Sequence, residues 1–121
     1  MPGISNIQLS AQQLSSNKWK LTAKYRATFS QFEVTNFNFR DSFQIWDDDP
    51  VDDDMVTGSR DVATFNPSST TVQRTKSTEV SGDALDTELG GEEIYVKIRL
   101  SNIDLNTPPV EKKSGNINLA P

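Results

Sequence analysis

Between Lys18 and Phe29 the chain alternates without a break, with Trp19, Leu21, Ala23, Tyr25, Ala27 and Phe29 set against Lys18, Lys20, Thr22, Lys24, Arg26 and Thr28. A period of two puts successive side chains on opposite faces of a pleated strand, so this run makes a strand with one buried and one wet face. At ~3.3 Å per residue it reaches about 40 Å, twice a usual strand, which predicts that it bends or serves two sheets.

Similar patterns recur on both sides. Ile7, Leu9 and Ala11 alternate with Gln8, Ser10 and Gln12, and Ser15-Ser16-Asn17 supplies a turn, so the first two strands form a hairpin. Phe37, Phe39, Phe43 and Ile45 alternate with Asn38, Arg40, Ser42, Gln44 and Trp46, and Asp41 falls on the apolar side. A β-bulge that swings Asp41 outward is the expected resolution; a buried, paired Asp41 is the sharper alternative. Asp61 to Phe65 reads as a short strand. Thr70 to Val80, apolar only at Val72 and Val80, is expected at a sheet edge where Arg74 and Lys76 discourage pairing with another chain. Glu92 to Ser101 alternates cleanly again, with Ile94, Val96, Ile98 and Leu100 on one side.

About seven or eight such strands, with at most one short helical turn near 83–89, predict an all-β antiparallel sandwich whose pattern is immunoglobulin-like; a small barrel is the alternative. Residues 1–106 form the expected domain. Residues 107–121 contain Pro108-Pro109 and Lys112-Lys113 and read either as a linker-like tail or as the last strand of the same domain.

Composition narrows the chemistry. The 121 residues include no Cys and no His, which excludes disulfides, thiolate nucleophiles, Cys-based zinc sites and the common His-dependent triads. A carboxylate hydrolase needs two acids set across a cleft, which this pattern does not suggest, so the chain is expected not to be an enzyme and to require no cofactor. No apolar stretch approaches the ~20 residues of a membrane span. The opening residues 1–6 lack the charge and apolar run of a signal peptide, which makes the cytoplasm the default expectation.

One loop stands out. Asp47, Asp48, Asp49, Asp52, Asp53 and Asp54 lie within eight residues, and without them the net charge would move from −5 to +1. Oxygen-rich loops at one end of a sandwich can hold Ca²⁺, and Asp104 could join if that end is shared. The other reading is a solvated acidic loop, since the EF-hand spacing is absent.

The wet face of the long strand carries a basic stripe, Lys18, Lys20, Lys24 and Arg26. Nucleic acid is not the expected partner of an acidic chain without stacking aromatics. The stripe is instead expected to meet a protein partner, or the acidic loop of a second copy in a homo-oligomer. Phe32, in the Ser30–Asn36 loop, and Trp46, beside the acidic run, are the aromatics left for a partner surface. The expected function is a non-catalytic interaction or assembly module, with a Ca²⁺-dependent binding module as the alternative.

Overall fold

A computed structural model describes residues 2–48, 53–85 and 92–119, apart from the side chains of Asp54 and Glu92. Two antiparallel sheets pack face to face. In the first, β1 (Gly3–Ser15), β2 (Lys18–Thr28) and β6 (Thr71–Ser81) lie in the order β1-β2-β6. In the second, β3 (Phe39–Asp47) pairs with β7 (Glu92–Asn102). Flanking β3 on its other side are β4 (Asp54–Met55) and β5 (Arg60–Phe65), while β8 (Val110–Lys113) and β9 (Ile117–Leu119) flank β7. No described helix is long and apolar enough to cross a membrane.

The alternating rows account for the core. Leu21, Ala23, Tyr25 and Ala27 face Phe39, Phe43, Ile45, Ile94, Val96, Ile98 and Leu100, all essentially without solvent exposure. Strand β2 is continuous and belongs to a single sheet, paired along its length with β1 and β6, so it is not shared between the two sheets. The irregularity falls on its neighbour. Between Ser5 and Gln8, β1 advances three residues while β2 advances two, with Asn6 at φ 51°. Asn tolerates this left-handed conformation, and the extra residue lets Ile4 and Ile7 both turn toward the core despite their odd spacing.

The segment from 107 onward completes the second sheet, because β8 and β9 both pair with β7. The turn expected near 83–89 is represented by α2 (Gly82–Leu85), and residues 86–91 lie outside the described residues. A helix absent from the expectation, α1 (Gln31–Asn36), connects the two sheets. Its start was legible: Ser30 Oγ accepts from the Glu33 N–H while Glu33 Oε1 accepts from the Ser30 N–H, a capping box written as Ser-x-x-Glu.

Asp41 is fully buried, which corrects the expected outward swing. The β3–β7 register runs through it unbroken; the bulge lies instead on β5, which spends three residues against two of β3 and holds Asp61 at φ 50°. Asp41 therefore points between the sheets. Its Oδ2 accepts from the Tyr25 hydroxyl at 2.6 Å and from Arg74 Nε at 2.8 Å, and its Oδ1 from Arg74 Nη2 at 3.1 Å and Lys76 Nζ at 2.7 Å. Arg74 and Lys76 do lie on an edge strand as expected, but they point inward, opposite Tyr25 and Ala23 of β2. Inward charge is itself a way to spoil an edge for further pairing. The bulged Asp61 brings a second carboxylate within 3.6 Å of Lys76 and accepts from the Ser77 N–H.

Burial alone would push the Asp41 carboxyl up, but hydrogen bonds from Arg74, Lys76 and Tyr25 outweigh it and hold the group below the usual carboxylate range. Burial, with the carboxylate alongside, pushes the Tyr25 phenol far up. The Asp41 contribution to stability is then present above the ordinary carboxylate pKa of about 4 and is lost as pH falls through the lower folded value. Asp41→Ala is expected to cost about 3–5 kcal/mol in denaturant unfolding at neutral pH, because buried cations lose their counter-charge. Asp41→Leu combined with Arg74→Met and Lys76→Leu is expected to recover most of that loss. An unchanged midpoint for Asp41→Ala would contradict this picture.

Candidate functional site

The two ends of the sandwich differ. Asp47 pairs with Ile94 at one end of the β3–β7 ladder and Phe39 pairs with Asn102 at the other, roughly 26 Å away at the usual rise per residue. The first end carries the acidic loop and the second carries α1.

At the acidic end, Asp49 and Asp52 lie outside the described residues, as does the side chain of Asp54, whose backbone pairs with Asp47. The described part of the loop is anchored. The Asp48 N–H donates to the Glu93 carbonyl at 2.8 Å, the Asn116 side-chain amide donates to the Asp48 carboxylate, and Asp53 Oδ2 accepts from the Tyr95 hydroxyl at 2.6 Å. Tyr95 thus becomes buried although it stands on the outer side of β7. Trp46 stacks on it with ring centroids 6.4 Å apart and planes 7° from parallel. Lys97 Nζ sits 4.1 Å from the Trp46 ring centroid, and the indole N–H donates to Gln44 at 3.2 Å. Trp46 is therefore half-buried and engaged on three sides.

Asp47 Oδ1 is buried and has no hydrogen-bond partner among the described residues. Among the described residues no group of three or more acidic side chains converges as a metal cage would. Asp104 is at the opposite end, where its Oδ2 accepts from the Asn38 N–H at 2.6 Å, so the structure does not bring it to the acidic loop.

The basic stripe lies where the alternation puts it. Lys18, Lys20, Lys24 and Arg26 are exposed on the outer face of the first sheet, with Lys18 paired to Glu79 at 3.1 Å. The loop residue Asp53 docks on the outer face of the second sheet, so within one molecule stripe and loop occupy opposite sides.

At the α1 end an apolar cleft of about 350 Å³ is walled by Pro2, Phe32, Phe37, Leu100, Leu105 and Pro108. The capping box sets the pitch of α1 so that Phe32 projects, 66% exposed, with its ring edge-on to Phe37 at 5.6 Å. The far wall is fixed by Asn102, whose Oδ1 accepts from the N–H groups of Asp104 and Leu105 at 2.9 and 3.1 Å. Asn66 donates to the Phe37 carbonyl at 2.9 Å and holds the floor. Four polar residues, Ser30, Glu33, Asn102 and Thr107, also line the cleft, and of these Glu33 and Asn102 are buried. Of these residues only Phe32 is a candidate from sequence; Leu105 and Pro108 straddle the boundary expected between domain and tail, and nothing local marks them as partners of α1.

No protein-family model matches the chain, and no curated protein matches it. Among solved structures, the X-ray structure of Northeast Structural Genomics Consortium target SoR45 is similar over 98% of this chain and 85% of that one, at 14% identity and a TM-score of 0.46. That likeness is too slight to bear on the site.

The anchoring of the acidic loop has a spectroscopic consequence. Burial first, then the hydrogen bond to Asp53 and the charges of Asp53 and Asp48, push the Tyr95 phenol up to about 12. Ultraviolet titration of tyrosinate is expected to show Tyr95 ionising well above an ordinary tyrosine, and Asp53→Ala to bring it back toward about 10. An ordinary Tyr95 titration in the unaltered protein would mean that the loop does not dock.

Proposed function

We propose that this chain is a non-catalytic β-sandwich interaction module, immunoglobulin-like in pattern, that binds another protein or copies of itself and uses the α1-end cleft as a docking site for an apolar side chain. The observation that carries this reading is Phe32, a large aromatic held two-thirds exposed at the rim of an apolar cleft. Leaving such a ring in water forgoes about 1.5–3 kcal/mol of burial. Ile103 and Leu105 are exposed on the neighbouring loop and extend the apolar surface. A cleft of this size suits one or two anchoring side chains of a partner, the usual form of a binding hot spot. The non-catalytic part is supported by the absence of His and Cys and by the sealed state of the Asp41 cluster, whose acid is fully buried among its partners. Selection from a random displayed-peptide library tests the reading: recovered peptides are expected to share an aromatic or aliphatic anchor and to lose at least about tenfold in affinity for Phe32→Asp, roughly 1.4 kcal/mol. Peptides that bind the variant equally well would place docking elsewhere.

A second reading, a Ca²⁺-dependent module, draws support from the buried Asp47 Oδ1, which has no hydrogen-bond partner among the described residues, at the start of a loop of six aspartates. Thermal melts in EDTA and in Ca²⁺, with Mg²⁺ as control, test it. Saturation at a hundred times Kd would add about 2.7 kcal/mol and several degrees, and Asp47→Asn is expected to abolish the gain. Identical melts would remove the ion from the account.

A further inference from the structure

Strand β1 is an edge of a different kind from the others. It runs thirteen residues, GISNIQLSAQQLS, without a charge or a proline. The opposite edge of the same sheet, β6, carries Arg74, Lys76 and Glu79, and in the second sheet β5 and β8 carry charges while β4 and β9 are only two and three residues long. Charge, proline, brevity and bulges are how folded proteins keep sheet edges from pairing with other chains; β1 has no charge, no proline and full length, and its bulge at Asn6 leaves Gln8 to Gln13 as a regular stretch. All its ladder bonds go to β2, and no described residue hydrogen-bonds to its backbone from the other side; β8 approaches across the gap between the sheets without bonding to it. Along its inner row Ile7, Leu9 and Ala11 pack on the core yet stay half-exposed, because the sheet stops there.

We propose that β1 is a self-association edge, on which the β1 strand of a second copy adds antiparallel about a two-fold axis and joins two three-stranded sheets into one of six strands. This rests on the reading of the chain as an interaction module but uses a surface separate from the α1-end cleft. The occupant follows from the edge itself. Two-fold pairing of an uncharged strand brings no like charges opposite one another, and it gives each half-exposed Ile7, Leu9 and Ala11 an apolar neighbour on the continued inner face. The strand's outer row is Gln8, Ser10 and Gln12, which can hydrogen-bond to the same row of the partner. Since the joint is uncharged and each copy carries −5, added salt strengthens it by screening, the reverse of a contact between basic stripe and acidic loop.

The lack of native cysteine makes the test direct. Single-cysteine variants at Gln8, Ser10 and Gln12, alone and mixed in pairs to cover each two-fold register, are oxidised and compared with Gln73→Cys and Thr75→Cys on β6, while sedimentation follows the unaltered protein over a range of concentration and salt. The inference expects one β1 register to crosslink at least about tenfold more than the β6 controls, as thiols held at high effective concentration do. It also expects a monomer–dimer equilibrium that tightens with salt and weakens at least about tenfold in Ser10→Lys. A dimer whose β1 cysteines crosslink no better than β6, or which salt dissociates, overturns the inference while leaving self-association in place. A protein that stays monomeric at every concentration overturns it as well, and the peptide selection on Phe32 then decides the interaction reading by itself.

Discussion

One fully buried carboxylate fixes the offset of the two sheets, with Asp61 adding a longer tie to the same Lys76. Asp41 comes from β3 in the second sheet, and all the groups that bond to it, Tyr25, Arg74 and Lys76, come from β2 and β6 in the first. Hydrophobic contact between alternating apolar rows is tolerant of sliding, because one buried methyl resembles another. A carboxylate with four donors is not tolerant: a slip of two residues along either sheet would strand a buried charge, a penalty of several kcal/mol. The apolar rows drive the layers together and the polar cluster selects their offset.

The rest of the architecture follows from that offset. With Phe39 and Phe43 on either side of Asp41 fixed against the first sheet, the start of β3 lies beside the end of β7, and α1 is carried over the exposed end of the core. The cleft under Phe32 is the space that remains between α1 and the loop after β7. At the other end the same ladder brings Trp46 beside Tyr95, giving the acidic loop an aromatic platform whose hydroxyl donates to Asp53. Charge is sorted by side, with the basic stripe on one outer face by the parity of β2 and Asp53 docked on the other.

The alternation of β2, β3 and β7 was enough to read the two-layer architecture, because a period of two on a half-buried strand leaves little choice. What escaped was set by contacts distant in sequence. Arg74 and Lys76 look like ordinary outward charges on an edge strand, and only the presence of Asp41 across the gap makes an inward orientation favourable. By parity alone Asp41 calls for a bulge, and a bulge exists, but on β5, where it aims Asp61 instead. The stripe of Lys18, Lys20, Lys24 and Arg26 was readable for the opposite reason: it depends on the parity of one strand alone. The α1 cap was written in Ser30 and Glu33, whereas the cleft needed Leu105 and Pro108, some seventy residues away along the chain.

A double-mutant cycle on Asp41 and Lys76 measures the inter-sheet tie most directly. Unfolding free energies of the unaltered protein, Asp41→Asn, Lys76→Met and the double variant give the coupling without apportioning it to either side chain. The account predicts strong non-additivity, a coupling of at least about 1.5 kcal/mol, with the double variant more stable than Asp41→Asn alone. Additive losses within about 0.5 kcal/mol would contradict it and would mean that the apolar rows hold the sheets in register unaided.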